Sequence, residues 1–408
     1  MKKEKQEKGI TLIALVITII VLLILAGVTI AALSGDNGIL TRAKEAKDKT
    51  EQAQKEEEST LTNMENILNN ATNFSNINMK DTNPSGAMPA DVTILESDAN
   101  KGIVIKDKND NEWVWVEVPK TVVFSDLTID TTEELIEQNY ADIKNKLVAY
   151  ATTYREGASG QGRYWTDEWY EGCGLTSNEY TVIYQKMLRS VYKYGGFWIA
   201  RYEAGIEDSI EDVSKARMSH TDIAIGTSPK AISKKDAIPY NWLYCSEAQA
   251  LAKEMVPDST YTSSLIFGIQ WDLVCKFLEV KGGLATADIN SNSSNWGNYN
   301  NAERTITSDK AKQKGTPWTV ITGKKTANSS SLLTTGASEE TKKMNIYDFA
   351  GNEWEWTLEK ASISGNPCAY RGGGYGYSSS DGPASSRGNI NTTYADGSIG
   401  FHPTLYVN

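Results

Sequence analysis

The apolar and polar positions of this 408-residue chain divide it into unequal parts. Ile10 to Leu33 runs for 24 residues without a charge, the length a membrane-spanning helix needs. The leader MKKEKQEKG carries four lysines, so that end is expected to stay cytoplasmic and everything after Leu33 to lie outside. The run is too long for a cleaved secretory signal and no A-x-A site ends it. An uncleaved signal anchor is the plainest reading. SGDNG (Ser34 to Gly38) then breaks the run. RAKEAKDKTEQAQKEEE follows, built from strong helix formers with Glu45 four residues before Lys49 and Glu51 four before Lys55, which predicts a solvated helical stalk over 34–70. Residues 71–90, rich in Asn, Ser, Gly and Pro, read as a linker.

The remainder, 91–408, predicts one domain of irregular α+β character. GIVIKDKNDNEWVWVEVP alternates on both sides of a polar tip at Asn109, Asp110 and Asn111, which predicts a hairpin pairing Gly102–Lys106 with Glu112–Val118. Three- and four-residue apolar steps predict helices over Ser246–Met255 and Gln270–Val280, and Thr131–Ala151 also reads as helical. GGFWIARYEAG (195–205) reads as a buried strand. Residues 285–341 are polar and aperiodic, so long irregular loops are expected there. In YDFAGNEWEWT (347–357) a Gly-Asn turn precedes an alternating pair of tryptophans. Trp354 and Trp356 share one strand face and Glu355 points to the other, where it is either solvated or bound.

Composition narrows the function. A net charge of −11 leaves no basic stripe for phosphates, which excludes nucleic acid as the expected partner. Eleven Trp and twenty Tyr against seven Phe favour recognition, because these aromatics keep a polar handle at a surface. Four scattered cysteines (Cys173, Cys245, Cys275, Cys368) without a C-x-x-C pair, and only two histidines (His220, His402), argue against zinc or haem. One or two disulfides and four free thiols both stay open.

KGITLIALVITIIVLLILAG resembles the leader of type IV prepilins. The resemblance implies cleavage by a prepilin peptidase after Gly9, a mature terminus at Ile10, and retention of the helix in the membrane or in a pilus with other pilin subunits. The family's fifth mature residue is glutamate. Here it is Ala14, which fits a minor or pseudopilin-like subunit better than a main one, because the terminal ammonium would lose its partner.

The ordered series RYEAG, YNWLYCSEAQAL, QWDLVCKFLE, NWGNYN, NIYDFAGNEWEWT, YRGGGY and GSIGF resembles the formylglycine-generating (sulfatase-modifying factor) family over about Gly102 to Val407. That family has a C-type-lectin-like fold. The expected fold class is therefore α+β: an N-terminal transmembrane pilin-type helix and helical stalk, then an irregular lectin-like, sulfatase-modifying-factor-like domain. The resemblance implies a calcium ion held by the Asp348 and Glu355 side chains and the Gly351 and Glu353 carbonyls, a mixed oxygen shell suited to a hard cation. It does not bring the chemistry with it. The oxidase members bind copper through two cysteines between the RGG element and the terminal GFR, and here that segment, GYSSSDGPASSRGNINTTYADGSI, has none. The related sulfoxide synthases need three iron-binding histidines, and the chain has two. The family's RLPTEAEW is SLIFGIQW here (264–271), and the arginine of GFR is His402.

Between Arg371 and Phe401 the chain is mostly Gly, Ser, Asn, Tyr, Thr and Asp, the composition of adaptable recognition surfaces. The location resembles the variable patch of retroelement-diversified members of this fold. Tyr377, Asn389, Asn391 and Tyr394 are the expected contacts for an extracellular protein or glycan. Three functions compete: an adhesin-like binding protein at the cell surface, a structural minor pilin, and an enzyme of the sulfatase-modifying or iron-dependent type. The missing Cys and His argue against the third, so no catalytic residue is expected.

Overall fold

The computed structural model describes residues 15–25, 42–55, 74–130, 132, 134–155, 164–221 and 229–408. The chain divides into two compact units, Met1–Ala71 and Thr72–Asn408.

In the first unit, 15–25 and 42–55 are helical. At about 1.5 Å rise per residue, the 15–25 helix is roughly 16 Å long, against a hydrocarbon core of about 30 Å. Among the described residues no helix is long and apolar enough to cross a membrane. This overturns the expected fold class with its transmembrane pilin-type helix, and the expected location as a single-pass membrane protein with an extracellular C-terminal domain. An uncharged run of spanning length is a property of composition, and the described helix takes up only part of it. Gly9 and Ile10, the expected cleavage pair, lie outside the described residues. The 42–55 helix is exposed on every face and carries a Lys47–Glu51 ion pair at 3.6 Å, one turn apart as mixed-charge helices allow.

The second unit is mixed α and β, built on two sheets. In the first, β1 (Thr93–Glu96), β2 (Val104–Lys106), β3 (Glu112–Glu117), β5 (Gly196–Ala200), β11 (Pro403–Val407) and β6 (Tyr261–Leu265) lie side by side in that order, all antiparallel. The expected hairpin forms, with Lys106 opposite Glu112. Its alternation ends in a strand buried on both faces, since Trp113, Val114, Trp115 and Val116 are all inaccessible. The second sheet is centred on β7 (Trp354–Ala361). It pairs antiparallel with β4 (Trp165–Thr166) and β8 (Cys368–Arg371), and β8 pairs with β9 (Arg387–Ile390). The short β10 (Ile399–Gly400) runs parallel to β7, and two residues later the chain enters β11 of the other sheet.

Helices α1 (Glu137–Tyr150), α2 (Ser177–Tyr194), α3 (Cys245–Glu254) and α4 (Gly268–Val280) pack on this frame. α2 is the long helix that periodicity alone did not expose. Thr176 and Glu179 close a reciprocal cap at its start, the Glu179 amide donating to Thr176 Oγ1 at 3.2 Å and the Thr176 amide to Glu179 Oε2 at 2.9 Å. Gly195 ends it at φ 71°, a left-handed stop that glycine adopts without strain. α4 contacts both β3 and β7, and ten of its thirteen residues are buried. It is therefore a core helix. Of the stretch read as a linker, 74–90 packs into the unit: Phe74, Thr82 and Ala87 are buried, and Pro84–Ala87 form a 3-10 turn. The expected loop region 285–341 carries two-residue strand pairs, one short helix at Thr286–Asn290 and a 3-10 turn at Glu339–Thr341.

Candidate functional site

The 347–357 motif is a tightly bonded turn. Asp348, Gly351 and Asn352 all adopt positive φ, 58°, 72° and 60°. Asn352 fixes the turn with its whole amide. Nδ2 donates to Glu203 Oε2 at 2.5 Å, and Oδ1 accepts from Asn298 Nδ2 at 2.9 Å and from the Leu333 amide at 3.1 Å. The Glu353 amide donates to the other Glu203 oxygen at 3.0 Å. RYEAG and GNEWEW, 150 residues apart, thus share one carboxylate.

Glu355 is not solvated. It is fully buried, and its Oε1 lies 2.8 Å from Nδ1 of His402, itself fully buried. The parallel pairing of Glu355 with Gly400 brings His402 to this point. Burial pushes the Glu355 carboxyl up, and His402 opposes the shift. Glu203 is pushed well up by burial and then by Asp348, Glu353 and Glu355. Burial raises Asp348 against the hydrogen bond from Gly336. Burial raises Glu353 to about 8 against its bond from Asn241. Four inaccessible carboxyls thus face one imidazole and a few amides, and protonation is the least costly way to hold them.

The Asp348 and Glu355 side chains, which the resemblance would have hold calcium with the Gly351 and Glu353 carbonyls, have protein partners in this arrangement. Asp348 Oδ2 already accepts from the Gly336 amide at 2.7 Å, Glu355 Oε1 is bonded to His402, and the Glu353 side chain turns to Asn241 Nδ2 at 2.6 Å. Among the described residues no group of three or more His, Cys, Asp or Glu side chains is placed to hold a metal ion.

A second buried cluster anchors the segment that follows. Arg371 donates to Asp272 at 2.8 Å and to Glu359 at 3.1 Å, and Arg387 reaches the same two carboxylates at 2.9 and 3.1 Å. Arg155 joins through Glu359 at 2.6 Å and also binds Asp167. Asp167 caps α4 by accepting from the Gly268 and Ile269 amides at 2.7 and 3.1 Å. Burial raises Glu359, but Arg387, Arg371 and Arg155 together bring it down to about 2. Three guanidiniums thus balance three carboxylates, as a buried ion cluster requires.

The residues between these anchors divide sharply. Arg371, Gly373, Ser379, Ala384 and Phe401 are buried. Tyr377 and Tyr394 are 49% and 38% exposed, Asn391 is exposed and Asn389 half-buried. Trp354, on the β7 face away from Glu355, supports this rim from below, edge-on to Tyr370 at 5.0 Å and to Tyr377 at 5.5 Å. Burial raises the Tyr370 hydroxyl, and the neighbouring Tyr377 and Tyr394 add to the shift. Tyr370 lies over Gly388, where a Cβ would come within 2.1 Å of the ring. Asn389 stands opposite Ala369 in the β8–β9 ladder, and Asn391 Oδ1 accepts from the Thr393 amide at 3.1 Å, closing the turn before Tyr394.

Sequence reasoning missed Lys314, Tyr375 and Trp242. Lys314 Nζ donates to the Gly397 carbonyl at 3.1 Å and to the Tyr375 hydroxyl at 3.3 Å. The Trp242 amide donates to the Asp396 carbonyl at 3.1 Å. These contacts fix the 394–398 bend from distant parts of the chain, and Lys314, in an aperiodic polar stretch, gives no local signal.

No protein-family model matches the chain, and no curated protein matches it. Among solved structures, Treponema denticola variable protein 1 is similar at 15% identity with a TM-score of 0.30, over 52% of this chain and 85% of that one. A crystal structure of CarF is similar at 13% identity and the same TM-score, over 52% and 87%. Likeness at this level assigns neither family nor function.

Proposed function

We propose that the 72–408 unit is a non-catalytic ligand-binding module whose recognition surface is the rim formed by Tyr377, Asn389, Asn391 and Tyr394. The observation that carries this reading is the division of the 371–401 segment into buried anchors and exposed Tyr and Asn side chains. A rigid floor under adaptable polar and aromatic contacts lowers the ordering cost of binding. The ionisable clusters beneath are inaccessible and bonded to one another, which is the behaviour of scaffold. The resemblance to the formylglycine-generating family supports the same reading, since its copper- and iron-binding residues have no counterpart here. A protein or a glycan is the ligand class such a rim fits.

The test is a protein and glycan array probed with the full-length chain and with a variant carrying Ala at Tyr377, Asn389, Asn391 and Tyr394. Ligands retained by the parent and lost by the folded variant support the surface. Equal binding by both removes it.

A further inference from the structure

Lys325 is closed away from solvent. It is 2% exposed, and lysine is almost never buried unless something satisfies its charge. It lies in the two-residue ladder that sets Lys324 and Lys325 opposite Thr305 and Arg304. Its Nζ donates to the Tyr299 carbonyl and, at 2.9 Å, to the Ala302 carbonyl. Both acceptors belong to one turn, which the Ala302 amide closes by donating to the Tyr299 carbonyl at 3.2 Å. One ammonium therefore holds both ends of the turn.

That turn carries the Tyr377 side of the candidate surface. The Asn300 amide donates to the Tyr377 carbonyl at 3.0 Å, and Asn300 Nδ2 donates to the Gly376 carbonyl at 3.2 Å. Asn301 binds Ser379 twice: its Oδ1 accepts from the Ser379 amide at 3.1 Å, and its Nδ2 donates to Ser379 Oγ at 3.2 Å. The Tyr299 hydroxyl donates to the Gly372 carbonyl at 3.0 Å. Its ring packs so closely on Gly373 that a Cβ there would come within 2.8 Å of it. Each residue from Tyr299 to Asn301 thus grips the 372–379 segment, while the Tyr377 side chain stays exposed.

We propose that Lys325 is a positioning residue of the recognition surface: its ammonium fixes the 299–302 turn, and the turn fixes the backbone that presents Tyr377. The inference rests on the reading of the rim as a binding surface. Hydrogen bonds from an ammonium are stronger than those between neutral groups. Away from water they are also costly to break, because the charge has no other acceptor. Methionine in place of Lys325 would keep an unbranched, apolar stem and donate no hydrogen bond. The turn would then be closed by its single backbone bond, and Asn300 and Asn301 would lose their fixed frame. Lys325 does not meet the ligand. It acts through the two asparagines.

Hydrogen exchange of the full-length Lys325→Met chain, read by mass spectrometry of its peptides, tests this. Peptides covering 299–302 and 376–379 should exchange roughly tenfold faster than in the parent, the weight of a lost hydrogen bond to a charged group. Those of β3 and α4 should be unchanged. Val114→Ala, a cavity in β3, should lower stability without that selectivity, and so controls for a merely structural effect. Asn301→Ala, at an exposed position, cuts the bonds to Ser379 while Lys325 stays in place, and should speed 376–379 alone. It decides the matter where Lys325→Met does not fold. Unchanged exchange at 376–379 in either variant, or an increase spread evenly over the domain, overturns the proposal. A ligand that the array places on the rim should bind Lys325→Met several-fold more weakly, and equal affinity also overturns it. Should the array yield no rim ligand, the exchange result still decides whether Lys325 fixes the segment, and the failure belongs to the rim reading alone.

Discussion

The Glu355 carboxyl and the His402 imidazole form a pair 2.8 Å apart in which neither side chain has any contact with solvent. Among the described residues Glu355 Oε2 and His402 Nε2 have no hydrogen-bond partner, so each group depends on the other. Replacing His402 by Ala leaves a buried carboxyl without its one imidazole and should lower stability by roughly 1–3 kcal/mol. Glu355→Gln keeps an acceptor for Nδ1 and should cost less. Urea denaturation of the two variants checks the order, and equal losses would contradict the pairing.

Since His402 occupies Glu355 and Asp348 is bonded to a backbone amide, chelation should not change the melting temperature. A calorimetric scan in EDTA and in millimolar calcium measures this. A fall in Tm that calcium restores would show instead that a metal displaces the imidazole and holds the turn, stabilising it by mass action.

Stability should peak on the acid side of neutrality. The Glu353 carboxyl, raised to about 8 by burial, binds a proton in the folded chain that the unfolded chain releases near 4.5. Its contribution is therefore full below about pH 4.5 and is lost as pH rises through about 8. Glu359 acts oppositely: held down to about 2, it stabilises above its unfolded value and that contribution is lost as pH falls through about 2. Denaturant midpoints measured from pH 3 to 9 should therefore be highest near pH 5. Glu353→Gln should flatten the alkaline limb and leave the acid limb intact. An unchanged alkaline limb would refute the assignment to Glu353.

Surface and floor should separate by mutation. Tyr377→Ala and Asn391→Ala should each change stability by about 0.5 kcal/mol or less, whereas Trp354→Ala or Phe401→Ala should cost roughly 3–5 kcal/mol through core cavities. Thermal melts of the four single variants give the comparison. Large losses at Tyr377 or Asn391 would mean that the rim belongs to the core.

The features legible in the sequence were local. The hairpin at 109–111, the helices beginning near 245 and 268, and the alternation of Trp354, Glu355 and Trp356 are short-range patterns, and each appears close to its expected place. The apolar run at 10–33 shows the limit of such reading, since an uncharged stretch specifies composition and leaves the helix undetermined. Glu355 was legible as a residue facing away from the tryptophans, but its partner was not: His402 is 47 residues distant and reaches it only through the β7–β10 pairing. Lys314 and the Arg155–Asp167–Glu359 cluster were hidden for the same reason, because long-range polar contacts leave no periodicity.

Arg371 and Arg387 end on the same two carboxylates, so residues 372–386 leave and rejoin the domain at one point. The two strands are registered through Arg371 opposite Arg387. Closing a longer loop over fixed ends costs little, about 0.6 kcal/mol for each doubling of length. Foreign sequence inserted at the exposed Ser380–Asp381 tip, between buried Ser379 and Gly382, would therefore be displayed with its ends held, and the domain would serve as a carrier for engineered epitopes.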